Sequence, residues 1–144
     1  MKTRLFAALL LCVSIVHAQH SAETALDRLA KVGQFAFGGT GYAGVISQGE
    51  KDYKVVMSRP SAESDFERLL LVGNQQAKAY ALVGIRTLDP ARFKQLSASL
   101  ANSKEEVVTQ QGCIVDHEAP STVLTRIASG RYSIYNGSHN RHWF

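Results

Sequence analysis

The segment NQQAKAYALVGIRTLDP, residues 74–90, determines the fold predicted from this sequence. Asn74 is placed to cap a helix over Gln75–Leu88, and Asp89 followed by Pro90 is the pattern that starts a further helix. The first of these helices is apolar on nearly all sides, through Ala77, Tyr80, Ala81, Leu82, Val83, Gly84, Ile85 and Leu88. Because a helix that is apolar all round is normally buried, we predict that it forms the centre of the protein.

Small residues form a strip along this predicted central helix, at Ala77, Ala81 and Gly84. Their spacing of three or four residues places them on one face, where a neighbouring helix can approach closely. A larger side chain on this strip would overpack that contact. The sequence therefore predicts that replacement of Gly84 by Leu destabilises the protein.

Further helices are predicted on both sides of the central one. Their expected positions are Ser21–Phe35, a helix capped by Ser47 and Glu50 and ended by Pro60, a helix from Ser61 or Ser64 to Gly73, a helix from Pro90 to about Leu100, and a last helix from Pro120 to Gly130. Residues 103–118 are expected to be irregular, with at most a short strand, because Gly112 interrupts both helical and extended patterns there.

These elements predict an all-α fold, either a small irregular bundle or stacked helical hairpins of five to six short helices. Residues 19–131 are expected to form a single helical domain, since a chain of this length can bury a core without metal or disulfide bonds. The tail, residues 132–144, shows no sustained period. We expect it to be disordered unless the rings of Trp143 and Phe144 dock on the domain.

The first eighteen residues have the pattern of an export signal. Two basic residues precede an apolar run over residues 5–16, and Ala18 marks the expected cleavage site. A membrane span needs roughly 20 apolar residues, so this run is too short to anchor the mature chain. Lipidation of Cys12 is an alternative, but Leu11 stands where that processing requires a small residue. We therefore expect a periplasmic or secreted protein with no membrane span after cleavage.

The charge of the mature chain is close to neutral. Cleavage after Ala18 removes two of the sixteen basic residues, and the remaining fourteen against twelve acidic residues give a net charge of +2. The most basic segment, residues 131–141, is interrupted by polar and aromatic residues. Proteins that bind nucleic acids usually cluster their basic residues on one face or in runs, so we expect no nucleic-acid partner.

Cys113 is the only cysteine that remains after cleavage, so the mature chain can form no internal disulfide. Its neighbours Ile114 and Val115 favour a buried structural cysteine. Two alternatives stay open. Cys113 could link two copies of the chain, or the chain and a partner, through a disulfide, or it could act as a nucleophile with His117 as the base.

Residues 39–44, GTGYAG, match the G-x-G-x-x-G pattern of dinucleotide-binding loops. That pattern requires a buried strand before it, whereas the predicted helix Ser21–Phe35 precedes it here. A glycine hinge or a closely packed turn is the favoured interpretation. We therefore predict no cofactor.

Histidine side chains at His139 and His142, together with His117, could supply imidazole ligands to a transition metal. Two histidines three residues apart in a polar tail are weak evidence for such a site, so we predict no bound metal. Asn136 begins the glycosylation sequon N-G-S, which matters only in a eukaryotic source.

The predicted function is non-catalytic binding of a protein partner, as in an exported inhibitor, immunity or accessory protein. The candidate binding residues are Gly39, Gly41, Tyr42, Trp143 and Phe144. Glycine permits close approach of a partner, and aromatic residues anchor protein interfaces. The alternative is an envelope thiol enzyme or hydrolase that uses Cys113 and His117.

Overall fold

The computed structural model describes residues 25–133, and this part of the chain contains both helices and strands. In chain order the elements are α1 (25–30), β1 (Gly39–Thr40), β2 (Val45–Ile46), α2 (Gln48–Met57), α3 (Ala62–Val72), α4 (Gln75–Leu88), α5 (Pro90–Leu96), α6 (Ala98–Ala101), β3 (Val107–Gln111), β4 (Ile114–Glu118) and α7 (Pro120–Ala128). Helices hold 57% of the described residues and strands about 15%, so the protein is mixed α/β. The all-α prediction is wrong, although helices lie at all six predicted positions; the helix predicted from Pro90 to about Leu100 is divided into α5 and α6.

Helix α4 lies at the centre of the described residues, as its sequence predicts. The Oδ1 atom of Asn74 caps it by accepting a hydrogen bond from the Ala77 amide at 2.9 Å. Tyr80, Leu82 and Ile85 are fully buried. The helix packs most extensively against α3, and it also contacts α2, α5, α6, α7 and β3. No helix within residues 25–133 has the length and apolar character needed to cross a bilayer.

The ring of Phe66 on α3 lies directly against Gly84 of α4. A Cβ atom at Gly84 would stand 2.3 Å from Cε2 of Phe66, far inside van der Waals contact. Phe66 is itself fully buried, so its ring has no open space beside it. The close helix approach predicted for the small-residue strip is confirmed at this position.

The first predicted helix ends earlier than expected. Helical residues stop at Ala30, and the chain turns past Gly33 into an extended segment. The Phe35 amide donates to the Val108 carbonyl at 2.8 Å, and the Phe35 carbonyl accepts from the Gln110 amide at 3.0 Å. The prediction of a helix reaching Phe35 is therefore wrong, because the backbone of Phe35 bonds to β3.

Residues 107–118, expected to be irregular, form an antiparallel hairpin. Its register pairs Gln111 with Ile114 on either side of a two-residue turn. Gly112 has φ +58°, and a positive φ at the first turn residue is typical of a type II′ hairpin. The glycine that interrupts a helical pattern therefore makes the turn, and the β-branched residues beside it favour the strands.

Residues 39–44, the G-x-G-x-x-G segment, belong to a second and smaller hairpin. Strands β1 and β2 pair with Gly39 opposite Ile46. Gly41 has φ +68° and Gly44 has φ +61°, values that residues with side chains rarely adopt. The segment is thus a strand and a turn, which differs from the strand-to-helix turn that dinucleotide binding uses.

Two buried carboxylates of α2 hold the preceding segments against the core. Glu50 is fully buried, and its carboxylate accepts hydrogen bonds from the Gly38 amide at 2.7 Å and from the Lys54 ammonium at 2.6 Å. The carboxylate of Asp52 accepts hydrogen bonds from the guanidinium of Arg28 on α1. Hydrogen bonds to charged groups are stronger than neutral ones, so these contacts fix both segments on α2.

The hydroxyl of Tyr80 bonds to both backbone polar groups of Ala36. It donates to the Ala36 carbonyl at 2.6 Å and accepts from the Ala36 amide at 3.0 Å. Burial raises the pKa of Tyr80 to about 12, so the phenol is protonated at neutral pH and can donate. Its ring also packs edge-on against Phe35, with the centroids 4.9 Å apart. Side-chain and backbone contacts together hold the extended segment on α4.

Helix α7 turns its predicted apolar face inward, with Val123 and Ile127 buried. Beyond the helix, the ring of Tyr132 packs edge-on against Phe35 at a centroid distance of 5.0 Å. The packed chain therefore includes the first residue of the predicted tail. The predicted signal peptide and the tail residues Trp143 and Phe144 lie outside the described residues.

Replacement of Gly84 by Leu should lower the free energy of unfolding by about 1 to 3 kcal/mol, because the added side chain meets the Phe66 ring in a packed core. Equilibrium unfolding in urea measures this change. Gly33→Leu is the matched control, since a Cβ atom at Gly33 meets no other atom within 4 Å. Equal losses in both variants would contradict the close packing of α3 on α4.

Replacement of Tyr80 by Phe should lower the free energy of unfolding by about 1 to 3 kcal/mol, because the buried Ala36 amide loses its partner and the Ala36 carbonyl keeps only the hydrogen bond from the Ser47 hydroxyl at 3.2 Å. Tyr42→Phe is the matched control, since the Tyr42 side chain is fully exposed. Urea unfolding compares the two variants. A Tyr80→Phe loss as small as that of the control would contradict the role of the hydroxyl.

Burial of the Tyr80 phenol predicts a pH dependence. Burial raises the pKa of Tyr80 from its usual 10.0 to about 12, so the stabilisation is complete below pH 10 and is lost as the pH rises toward 12. The loss amounts to about 2 to 3 kcal/mol. The unfolding free energies of the native chain and Tyr80→Phe should therefore converge over this interval. A difference between the two unfolding free energies that stays constant over this pH interval would contradict the raised pKa of Tyr80.

Candidate functional site

Two hairpins meet at one end of the molecule. The Gly41 amide donates a hydrogen bond to the Gly112 carbonyl at 2.8 Å, which joins the two turns. The residues before Gly41 bond to the same edge of β3, so the segment 35–40, β3 and β4 lie side by side in that order. We call residues 41–45 and 112–115 the hairpin end.

The hairpin end exposes large apolar side chains. The exposed fraction is 102% for Tyr42 and 71% for Ile114, and Val45 and Val115 are also exposed. Large apolar side chains exposed on two joined turns are candidates for an interaction site. Of the predicted binding residues, Gly41 and Tyr42 lie on this surface, whereas the two apolar residues of β4 were missed.

The predicted glycines shape the turn that presents Tyr42. A Cβ atom at Gly39 would stand 2.9 Å from the carbonyl oxygen of Gly44, so the two sides of the small hairpin touch there. Gly41 supplies a positive φ and the amide that bonds to Gly112. The glycines were expected to let a partner approach closely. Gly39 instead lets Gly44 of the same chain approach closely.

Strand β4 has an unpaired edge within residues 25–133. Backbone groups of an antiparallel strand point alternately to its two sides, and the turn makes Gln111 and Ile114 a hydrogen-bonded pair. Val115 and His117 therefore direct their backbone groups away from β3. The His117 amide donates to Oδ1 of Asp116 at 2.8 Å. The amide and carbonyl of Val115 have no hydrogen-bond partner among the described residues.

Acidic side chains border the edge of β4 away from the turn. Asp116 and Glu106 are both exposed. The Nδ1 atom of His117 lies 3.5 Å from a carboxylate oxygen of Glu106, and both side chains are mostly in solvent. The edge is therefore apolar near the turn and acidic toward its other end.

Cys113 is exposed at the tip of the β3–β4 turn. The prediction that it is buried is wrong, because Ile114 and Val115, whose apolar character suggested burial, are themselves exposed. His117 follows four residues later along extended chain, which separates the two positions by about 13 Å. That distance is beyond the reach of direct proton transfer between thiol and imidazole.

A cavity of about 620 Å³ opens beside β3, next to the hairpin end. Its lining combines three aromatic rings with polar and charged side chains, namely Phe35, Phe37, Tyr132, Thr109, Gln111, Glu118, Arg126 and Arg131. The predicted binding residue Gly39 also lines it. Cavities that bind small molecules commonly have volumes of roughly 300 to 1,000 Å³.

An ion pair between Glu118 and Arg126 stands in the wall of this cavity. Nη1 of Arg126 donates to Glu118 Oε1 at 2.8 Å, Nη2 donates to the other oxygen, and the Thr109 hydroxyl donates to Oε1 at 2.6 Å. Burial raises the pKa of Glu118, but the hydrogen bonds from Arg126 and Thr109 outweigh it, so the pKa lies below its usual value. The carboxylate is therefore charged at neutral pH and neutralises Arg126.

Within residues 25–133, no group of three or more His, Cys, Asp or Glu side chains is arranged to hold a metal ion. His117 is described and faces Glu106. The other two candidate ligands, His139 and His142, lie outside the described residues, as does the sequon at Asn136.

The sequence contains a signal for the β4 edge that the helical interpretation passed over. Residues 107–118, VVTQQGCIVDHE, place β-branched runs on both sides of a Gly-x pair, which is a hairpin pattern. The cavity has no comparable local signal, because its residues come from segments that are far apart in the chain.

Comparison with known proteins found no family model, no curated protein and no solved structure that matches this chain. The function proposed for this chain therefore rests on the geometry of the hairpin end and the cavity.

Cys113 should react with a thiol reagent in the folded protein, completely and at a rate close to that of the unfolded chain, because it is exposed at a turn. The measurement is the release of chromophore at neutral pH from a chain that carries Cys12→Ser, with Cys113→Ser as the blank. Labelling that occurs only after denaturation would show that the thiol is covered in solution.

Proposed function

We propose that this chain is an exported, non-catalytic binding protein that binds an extended segment of a protein partner along β4. The observation that carries the proposal is the unpaired backbone edge at Val115, where the side chains of Ile114 and Val115 are exposed. A partner strand placed there would satisfy the amide and carbonyl of Val115, which is how strand addition provides affinity.

The side chains along β4 specify the chemistry of the partner segment. Apolar residues of the partner would lie against Ile114 and Val115, and a basic residue would lie near Asp116 and Glu106, where the edge is acidic. Opposite charges on neighbouring strands stabilise pairing, while like charges destabilise it. We therefore infer a partner segment in which two consecutive apolar residues stand next to a basic residue.

A second copy of this chain fits the edge less well. Antiparallel pairing of two β4 strands centred on Asp116 would place the two Asp116 carboxylates directly opposite each other, where like charges destabilise the pair. A disulfide between two copies through the exposed Cys113 does not require strand pairing and remains a separate proposal. Non-reducing electrophoresis of the secreted protein tests it.

Export is supported by the signal pattern of residues 1–18. An inhibitor, an immunity protein or an accessory subunit would use a surface such as the hairpin end without chemistry of its own. The alternative, an envelope thiol enzyme, is disfavoured by the separation of about 13 Å along extended chain between Cys113 and His117.

The proposal predicts which variants lose binding in a screen of displayed random peptides against the folded protein. Val115→Pro removes the outward amide, and proline is tolerated at a sheet edge because that amide does not bond to the neighbouring strand. Ile114→Lys adds a charge to the apolar part of the edge. Both should lower the affinity of selected peptides at least tenfold, and those peptides should carry two consecutive apolar residues next to a basic residue.

The matched control is Leu71→Lys, which places the same charge on an exposed apolar position of α3. This variant should bind the selected peptides as the native chain does. Peptides that bind Val115→Pro as tightly as the native chain, or that lack an apolar pair next to a basic residue, would contradict strand addition. Circular dichroism verifies that each variant is folded.

A further inference from the structure

The cavity beside β3 has the character of a second binding site, which the strand-binding function does not use. We propose that it binds a small aromatic monocarboxylate. The inference rests on three properties of the cavity: the aromatic rings in its lining, the balance of charge at its wall, and its size. None of these depends on the edge of β4.

Aromatic rings provide the apolar part of the cavity. The ring of Tyr132 has its centroid 5.0 Å from that of Phe35 and 5.5 Å from that of Phe37, and the two Phe rings are 5.6 Å apart and nearly perpendicular. Rings at these distances attract one another, edge to face in the two pairs that include Phe35 and in a tilted arrangement between Phe37 and Tyr132. A flat aromatic ligand can add to this cluster in the same way, which a branched aliphatic ligand cannot.

The charges at the wall leave one positive charge for a ligand. Arg126 is neutralised by Glu118 through two hydrogen bonds. Arg131 also lines the cavity, is exposed, and forms no ion pair within residues 25–133. The guanidinium fork matches the two oxygens of a carboxylate. A ligand with several negative charges would meet the Glu118 carboxylate without enough cations to balance it.

The size of the cavity and its polar groups further restrict the range of ligands that fit. The volume of about 620 Å³ accommodates a molecule of one or two rings. The amide side chain of Gln111 lines the opening and can donate to or accept from a polar substituent. Thr109 and Gln110 already use donor groups, on Glu118 and on the Gly112 carbonyl. The carboxylate of the ligand is therefore expected at Arg131.

The test compares 2-naphthoate with its uncharged counterpart 2-naphthamide, by isothermal titration of the whole chain. Naphthoate should bind more tightly than the amide. Arg131→Gln should weaken naphthoate binding roughly five- to tenfold, the range expected for one charge-assisted contact that is partly exposed, and should leave naphthamide binding unchanged. Arg68→Gln, the same substitution at an exposed position of α3, is the matched control and should change neither.

A second measurement locates the ligand. Naphthoate should shift the amide resonances of Thr109 and Gln111, and Val115→Pro should bind naphthoate as the native chain does, which separates this site from the strand-binding edge. The proposal is overturned if neither compound binds at millimolar concentration or if Arg131→Gln and Arg68→Gln have the same effect. Shifts confined to the hairpin end would overturn it as well.

Discussion

The hydrogen bonds between the Tyr80 hydroxyl and both backbone groups of Ala36 are the constraint on which the rest of the structure depends. An extended segment can lie in a protein core only if its backbone groups find partners on both sides. Here β3 supplies them on one side, through Phe35, and the side chain of Tyr80 supplies them on the other. The extended segment thus lies between α4 and β3, and β4 forms the outer edge.

The exposed edge of β4 and the cavity beside β3 both follow from the position of this segment between α4 and β3. The turns of the two hairpins are joined by the bond from Gly41 to Gly112, so exposed residues that are some seventy positions apart share one surface. The cavity lies where the core-facing side of the sheet, with Phe35 and Phe37, opens toward Tyr132. Binding residues on turns and edges can vary without disturbing the helices that position them, which is how rigid scaffolds carry function.

Local patterns predicted the helices well because caps and apolar spacing act within a few residues. The Ser47 hydroxyl accepts from the Glu50 amide, as the capping pattern indicates, and Asp89 caps the helix that Pro90 begins. The same local reasoning failed at Gly112. A glycine interrupts a helix, but it also makes a hairpin turn, and only the β-branched residues on both sides distinguish the two cases. The prediction that Cys113 is buried was wrong for the same reason, since Cys113 lies in that turn.

The sequence by itself determined the positions of α2, α3, α4 and α7 and that α4 is central, since those properties depend on neighbouring residues and on overall apolar character. Tertiary structure alone decided that Phe35 is extended, that the edge at Val115 is unpaired, and that Arg131 lines a cavity beside Glu118. Each of these depends on contacts between segments that are distant along the chain. Such contacts form only when the core packs, and no local pattern encodes them.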